Sequence, residues 1–473
     1  MAGSGTCMTV SGLDVSDERA PGKAPARRVH ALRDRLTRPV RGDGLRARAI
    51  RGAGWTLAGF GMQQVLRLGS SLVLTRLLFP EAYGLMAIAN VYMTGLSMFS
   101  DVGLRQSIIQ NPRGQEPEFL NTVWTMQVIR GFILWAVSCI IAYPVSRFYE
   151  APILFPILCV LGMTAAIRGF QTTAYFTANR NLHLGRVTAL EVISQFIGIL
   201  IIVGWASVHS SVWALAGGGT AASLVTVALG HFALPSHRHQ FHWDRSSAAD
   251  IFGFGKWIFF ATILGYLANN GDKLILGKFM STELFGMYAL ALTWAGLVSN
   301  INSKIGERVL VPLYAIKRDA SSEEMRPKIR KLRLAKASMA FPATSVLVIF
   351  GPDLISLMYD DRYQGAGWML RVLAIGIGFH AVMNIGDFML SRGKSRLFFA
   401  TVCMAVVTSL GSMTVGGLIA GETGIVIGVA AIPVLTHLWM IPIYIKHGYW
   451  LWRLDAAFLL VLAVMTAIAF GLR

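Results

Sequence analysis

Three arginines, Arg67, Arg130 and Arg168, fall inside long apolar stretches of this chain. A charge at mid-bilayer costs on the order of 3 kcal/mol even on insertion scales, so residues of this kind in a spanning helix need water or a partner beside them. Polar residues recur around them in steps of three or four: Gln63, Arg67 and Ser70; Asn90, Thr94, Ser97 and Asp101; Thr164, Arg168, Gln171 and Tyr175. Two further sets follow, Thr262, Tyr266, Asn269 and Lys273 with Asp272 alongside, and His380, Asn384, Asp387 and Ser391. That spacing puts each set on one face of a helix. Faces of this type from several helices are best satisfied by converging on one hydrated cavity. Guanidinium forks there suit phosphate or carboxylate oxygens, whereas a cationic cargo would call for acidic groups and aromatics. The expected cargo is anionic, with Arg67, Arg130, Arg168, Gln63 and Asn269 as its binding residues.

Other readings of the same residues stay open. Single Ser, Thr and Asn side chains also serve as glue between spanning helices. Arg130 and Arg168 lie about two turns from the ends of their spans, within snorkelling reach, while Arg67 sits near the middle of its span. Lys256, Glu191 and Arg371 lie close to a membrane face and read as interfacial anchors. Asp272 and Lys273, in "NNGDKLILGKF", form either a stabilising charge pair or an outer gate, with Asp387 as the inner counterpart. Either carboxylate could also couple transport to a proton or sodium gradient. No cofactor and no metal is expected: His183, His209, His231, His380 and His437 are isolated along the chain.

The elements that must hold these faces are helices in a bilayer. The 473 residues are 54% hydrophobic and 14% charged, with a mean hydropathy of +0.54, far from the quarter of charged residues usual in a soluble protein. Apolar blocks long enough to cross about 30 Å of hydrocarbon are expected at 53–79, 83–101, 122–143, 153–175, 188–206, 212–233, 251–276, 285–304, 336–357, 368–390, 398–419, 424–445 and 455–472. The fold class is therefore an all-α polytopic membrane protein. For the last block, a half-buried tail helix is the alternative to a thirteenth span. Cys139, Cys159 and Cys403 lie in apolar blocks and Cys7 in the polar leader, a scatter that suits packing rather than a disulfide framework.

A net charge of +18 raises the question of nucleic acid, but the basic residues are sorted by topology. With the N-terminus in the cytoplasm, that side collects about 32 Lys and Arg, and the other about 4, namely Arg147, Lys273, Lys278 and Arg362. Residues 1–52 form a basic leader without the apolar core of a signal peptide, expected to be cytoplasmic and disordered.

The chain also repeats itself. "LTRLLFPEAYGLMAIA" (74–89) returns as "LGKFMSTELFGMYALA" (276–291), an offset of 202 positions. In that register Trp55 falls on Trp257, Gly69 on Gly271, Leu74 on Leu276, Glu81 on Glu283 and Gly84 on Gly286, with Arg76 on Lys278 and Tyr83 on Phe285. Six spans separate the copies, so the repeats are parallel and related by an axis along the membrane normal. Two six-helix bundles around a central cavity follow: 53–233 and 251–446, joined by a linker at 234–250 and followed by an additional helix within 447–473. Rocking one bundle against the other would expose the cavity to each side in turn.

The stretch "LVLTRLLFPEAYGLMAIANVYMTGLSMFSDVGLRQSIIQ" (72–110) resembles the N-terminal signature of the bacterial polysaccharide transporter, or oligosaccharide flippase, family, and "GDKLILGKFMSTELFGMYALA" (271–291) its second-half signature. The resemblance implies the fold of the multidrug, oligosaccharidyl-lipid and polysaccharide exporter superfamily. It implies a transporter, not an enzyme, of the bacterial inner membrane. The implied cargo is an undecaprenyl-pyrophosphate-linked oligosaccharide, moved from the cytoplasmic to the periplasmic leaflet for exopolysaccharide, capsule or O-antigen synthesis. The implied partners are that lipid, the membrane and the polysaccharide assembly machinery; nucleic acid is not among them.

A lipid II flippase would share the basic cavity. A multidrug or cation exporter would share the architecture and favour acidic cavity residues. A polytopic polymerase or acyltransferase would need a nucleophile with its base at an accessible surface, and no such spacing is present in the short outer loops. A purely structural scaffold would not need charged groups inside its spans.

Overall fold

The computed structural model describes residues 45–100, 104–180, 184–234, 239–249, 251, 266, 270–271, 273–274, 276–305, 322–383, 395–446 and 450–471. The sequence-predicted Asn269, Asp272 and Asp387 lie outside the described residues, as do Asp101, Lys256 and most of the basic leader.

The first half contains α1 (Leu45–Leu77), α2 (Pro80–Phe99), α3 (Leu104–Gln110), α4 (Pro117–Phe148), α5 (Leu154–Gly169), α6 (Ala174–Arg180), α7 (Leu184–Val208) and α8 (Val212–Ala233). The second contains α9 (Thr282–Ile305), α10 (Ser322–Met358), a 3-10 turn (Asp361–Tyr363), α11 (Gly365–Met383) and α12 (Ser395–Lys446), followed by α13 (Trp452–Gly471). No strand occurs among the described residues. Seven of these helices are long and apolar enough to cross a membrane, and the pair α5 and α6, bent by 61°, makes an eighth. The chain is an all-helical polytopic membrane protein.

Local sequence sets the helix ends. Pro80 and Pro117 open α2 and α4 at a position where the missing N–H costs nothing. Glu81 and Glu118 in those first turns complement the helix dipole. The long α12 is two spans divided at Ala420 and Gly421, where Gly421 takes φ 58°. A side chain is disfavoured there and glycine is not.

In the first half α1 packs on α7, α7 on α8, α8 on α5, and α5 on α4 and α2; in the second, α11 is the hub, touching α9, α10, α12 and α13. The halves meet where α2 lies against α9. One end of the molecule, here the hairpin end, carries the turns from α1 to α2, α4 to α5 and α7 to α8. The opposite end, the linker end, carries residues 239–249 as a strap along the start of α4. Asn121 Oδ1, Thr125 Oγ1 and Thr122 Oγ1 accept the backbone N–H groups of Gln240, His242 and Asp244 at 3.2, 3.0 and 3.1 Å. Asp244 then accepts from the hydroxyls and amides of Ser246 and Ser247, which holds its carboxyl well below the usual carboxylate range.

The expected fourth span, 153–175, is a shorter helix and a bend. Gln127 of α4 explains the break. Its Nε2 lies 3.3, 2.9 and 3.0 Å from the carbonyls of Arg168, Gly169 and Gln171, so the two N–H groups of one amide are shared among carbonyls at the helix end. Thr172 Oγ1 then accepts the Ala174 N–H at 3.2 Å and starts α6.

Candidate functional site

The bend after Gly169 builds a polar crevice. Arg168, on the last turn of α5, faces Gln171, Tyr175 and Asn179 beyond the bend, Arg105 of α3 and Glu191 of α7, around a cavity of about 380 Å³. Arg168 Nε lies 3.4 Å from Ser223 Oγ of α8, which steers the guanidinium along the crevice wall. Gln63 Nε2 of α1 donates to Glu191 Oε2 at 3.3 Å, and Gln195 Nε2 donates to the Gln63 carbonyl at 3.0 Å. Three members of one sequence stripe, Arg168, Gln171 and Tyr175, thus share this wall. The fourth, Thr164, pairs instead with Thr220 at 3.1 Å and joins α5 to α8.

Glu191, expected to be an interfacial anchor, is part of this polar wall. It lines the crevice with Arg105 as its neighbouring cation. Neither role was legible from spacing, because Arg105 lies on a seven-residue helix outside every expected span. Arg371 turns inward as well, its Nε donating to the Val348 carbonyl at 3.0 Å.

Arg67 is exposed one turn along α1 from Gln63, and Asn90, Thr94 and Ser97 are exposed along α2. These polar positions lie well inside their helices, where exposure to hydrocarbon would be costly. Arg130 is more committed: Nε donates to Ser100 Oγ at 2.9 Å and Nη2 to the Ser97 carbonyl at 2.8 Å. It caps the end of α2 from α4. Lys273 Nζ donates to Asn270 Oδ1 at 2.9 Å within the seventh span.

Because Gln127 fixes the bend from which Arg168 projects, Gln127→Leu should lower stability by about 1–2 kcal/mol and weaken anion binding in the crevice. Thermal melting and a binding titration of the purified protein would measure both effects.

At the hairpin end the two copies of the repeated stretch meet each other. A Cβ on Gly84 would overlap the Thr282 carbonyl oxygen, and one on Gly286 would overlap the Pro80 carbonyl oxygen. Positions 84 and 286, like 80 and 282, are 202 apart, so this is a single contact made twice about the pseudo-twofold axis. Around it Tyr363 Oη donates to the Leu78 carbonyl at 2.8 Å, Trp294 Nε1 donates to Tyr359 Oη at 2.7 Å, and Arg362 lies over the Phe79 ring at 4.6 Å. Lys278 Nζ, the counterpart of Arg76, reaches Glu150 Oε1 at 2.7 Å and holds that carboxyl below its ordinary value. One apolar cluster runs through the seal from Leu74, Leu78 and Ile88 to Leu276, Phe285 and Tyr288.

The described residues thus place a basic crevice at one end and a tight contact between the repeated stretches at the other. The fold agrees with solved transporters: the lipid II flippase MurJ in its inward closed conformation matches with TM-score 0.64 at 12% identity, over 88% of this chain and 98% of that one. An inward-facing multidrug resistance MATE family transporter of the MOP superfamily matches with TM-score 0.58 at 14% identity, over 86% and 95%. The model of a family described as polysaccharide biosynthesis protein covers residues 73–367, more than half of the sequence, and the chain belongs to that family. Relatives include the lipopolysaccharide biosynthesis protein WzxC of Escherichia coli strain K12, 23% identical over 85% of this chain and 82% of that protein. The succinoglycan biosynthesis transport protein ExoT of Rhizobium meliloti strain 1021 is 19% identical over 78% and 74%. Family and fold together make this chain a membrane transporter of the polysaccharide flippase kind, not an enzyme.

Proposed function

We propose that the chain moves a polyprenyl-pyrophosphate-linked oligosaccharide repeat unit from the cytoplasmic to the periplasmic leaflet of the bacterial inner membrane by alternating access. The linker end would be cytoplasmic and the hairpin end periplasmic, a reading supported by the distribution of Lys and Arg. Arg168 and Arg105 beside the hydroxyl- and amide-bearing Tyr175, Gln171 and Asn179 carry the reading: this is a set that can bind pyrophosphate and sugar together. A pyrophosphate bearing sugars cannot cross hydrocarbon unaided, but it can enter a hydrated basic crevice while its hydrocarbon chain stays in an apolar phase. Arg67, exposed further along α1, is placed to receive the headgroup as it advances. The seal of the repeated stretches would then be the outer gate. Glu191, the carboxylate of the crevice, sets the spacing of the anion from α7.

The test uses cells of the native host lacking the chromosomal copy. Arg168→Ala, expressed at the wild-type level, should cut surface polymer roughly tenfold, the loss expected from one charge-assisted contact, and lipid-linked repeat units should accumulate. Arg67→Ala combined with Arg168→Ala should reduce export further. Full export by the double variant would overturn the proposal. Restoration of lipid II translocation, with no effect on polymer, would reassign the cargo.

A further inference from the structure

A second cavity, of about 250 Å³, lies toward the hairpin end, and its walls have a different chemistry. Leu96 and Phe99 of α2, Ile141 of α4, Leu158 of α5, and Tyr266 and Leu274 line it. The polar groups in these walls are already engaged. Tyr266 Oη donates to the Val91 carbonyl at 2.8 Å, Tyr92 Oη to Tyr149 Oη at 3.5 Å, and Ser138 Oγ to the Leu158 carbonyl at 2.8 Å. A water molecule needs two to four polar partners to be held, and this cavity offers few. Its natural occupant is hydrocarbon.

The position of the cavity says which hydrocarbon. Leu158 and Arg168 stand on one helix, ten residues apart, which is about 15 Å along its axis. The same α5 therefore lines an anion-binding crevice and, a short chain length away, a dry apolar cavity. An amphiphile with an anionic head and a chain long enough to cover that distance has a group suited to each. Resting on the flippase reading above, we infer that this cavity holds isoprene units of the cargo's polyprenyl chain that lie beyond the first few, at the distance separating Leu158 from Arg168, while its pyrophosphate sits between Arg105 and Arg168.

Occupancy bears on the conformational cycle. Tyr266 and Leu274 precede the second copy of the repeat, and they are stitched to the first half by Tyr266 Oη donating to the Val91 carbonyl and by Tyr149 Oη donating to the Leu274 carbonyl at 2.8 Å. The cavity is complete only while those contacts hold. A chain bound there interacts with the state sealed at the hairpin end and loses those interactions when the halves part, so it favours the state in which cargo is loaded.

The experiment uses the full-length protein in nanodiscs and a polyprenyl-pyrophosphoryl-N-acetylglucosamine carrying a diazirine on an isoprene unit about 15 Å along the chain from the pyrophosphate. Crosslinks are expected in the peptides containing Leu96, Ile141 and Leu158, and phosphatidylglycerol with a diazirine acyl chain should not label them. Leu158→Trp, which fills the cavity, should weaken binding of the polyprenyl probe about tenfold, in keeping with the loss of one or two buried methylene equivalents. Its binding of methyl-pyrophosphoryl-N-acetylglucosamine, which has no chain, should be unchanged. Ile141→Trp is the second variant should Leu158→Trp melt below the wild type. Headgroup binding with crosslinks elsewhere, or equal labelling by the acyl probe, overturns the inference and leaves the flippase reading standing. Failure of the chainless headgroup to bind at all overturns that reading first.

Discussion

Gly84→Ala combined with Gly286→Ala is expected to open the hairpin end and abolish polymer export, and either substitution alone to weaken the seal. The argument is steric. The added Cβ at each site meets a backbone carbonyl, Thr282 in one case and Pro80 in the other, and a backbone inside a helix start cannot rotate away as a flexible side chain can. Overpacking of this kind costs about 1–3 kcal/mol per site. A seal preferred a hundredfold over the open state is cancelled by about 2.7 kcal/mol, so one substitution weakens it and two should reverse it. The seal also carries a buried hydroxyl, Tyr83 Oη, with no hydrogen-bond partner among the described residues, which already costs closure something. The readout is a cysteine at Thr94, an exposed position on α2, in a background free of other cysteines. A membrane-impermeant thiol reagent added outside should label it at least tenfold faster in the double variant. Unchanged labelling would mean that the repeats touch without gating. The internal control is another pair of repeated glycines, Gly69 and Gly271, where a Cβ meets nothing within 4 Å. Alanine there should leave labelling and export as they are, and can stabilise its helix by up to about 1 kcal/mol.

That contrast marks what the sequence could and could not reveal. The 202-residue offset showed that two copies existed and that they were parallel, but Gly69 and Gly84 recur equally well in it. Only the helix crossing distinguishes them, because close approach is a property of two segments far apart in the chain. Long apolar helices were legible, since a bilayer requires about 20 apolar residues in a row; of the thirteen expected blocks, most of 251–276 lies outside the described residues and 153–175 is a bent pair. The bend after Gly169 was not legible, because its cause is Gln127, on a different helix. The stripe Thr164, Arg168, Gln171, Tyr175 was read as one face, and the bend then divides it between a helix contact at Thr164 and a crevice wall for the rest. Arg105 was missed and Glu191 was read only as an anchor for a related reason: they lie on different helices, and they come to one crevice only when α6 packs between α3 and α7. Positional patterns register residues that share an element; sites assembled from several elements need the packing.

The same limit applies to the second large effect, at the docking of α13. Its one acidic residue within the first turn, Asp455, is buried: Oδ1 lies 2.7 Å from Arg333 Nη2 of α10 and Oδ2 lies 3.4 Å from His437 Nε2 of α12, with side-chain exposures of 6%, 4% and 3%. Arg333 also touches Met383 Sδ and lies over the Phe458 ring at 5.7 Å. The contacts of Asp455 are ionic without well-aimed hydrogen bonds, so the cluster repays only part of the desolvation of its charges. Removing one partner is a different matter. Asp455→Ala leaves the Arg333 guanidinium buried and uncompensated, for which about 3–5 kcal/mol of destabilisation is expected, with α13 released to proteolysis at a lower temperature than in the wild type. Replacing the whole cluster, Arg333→Met with His437→Leu and Asp455→Leu, should instead restore stability or raise it by about 1–4 kcal/mol, because buried ion clusters are seldom better than well-packed apolar ones. Melting curves of both variants in the same nanodiscs decide the energetics, and polymer export decides the role. A stable triple variant that exports normally makes the cluster a device for seating α13 in one register against α10 and α12. A stable triple variant that fails to export would mean that these charges change partners during transport, and the second half would then hold a polar switch as well as its share of the outer seal.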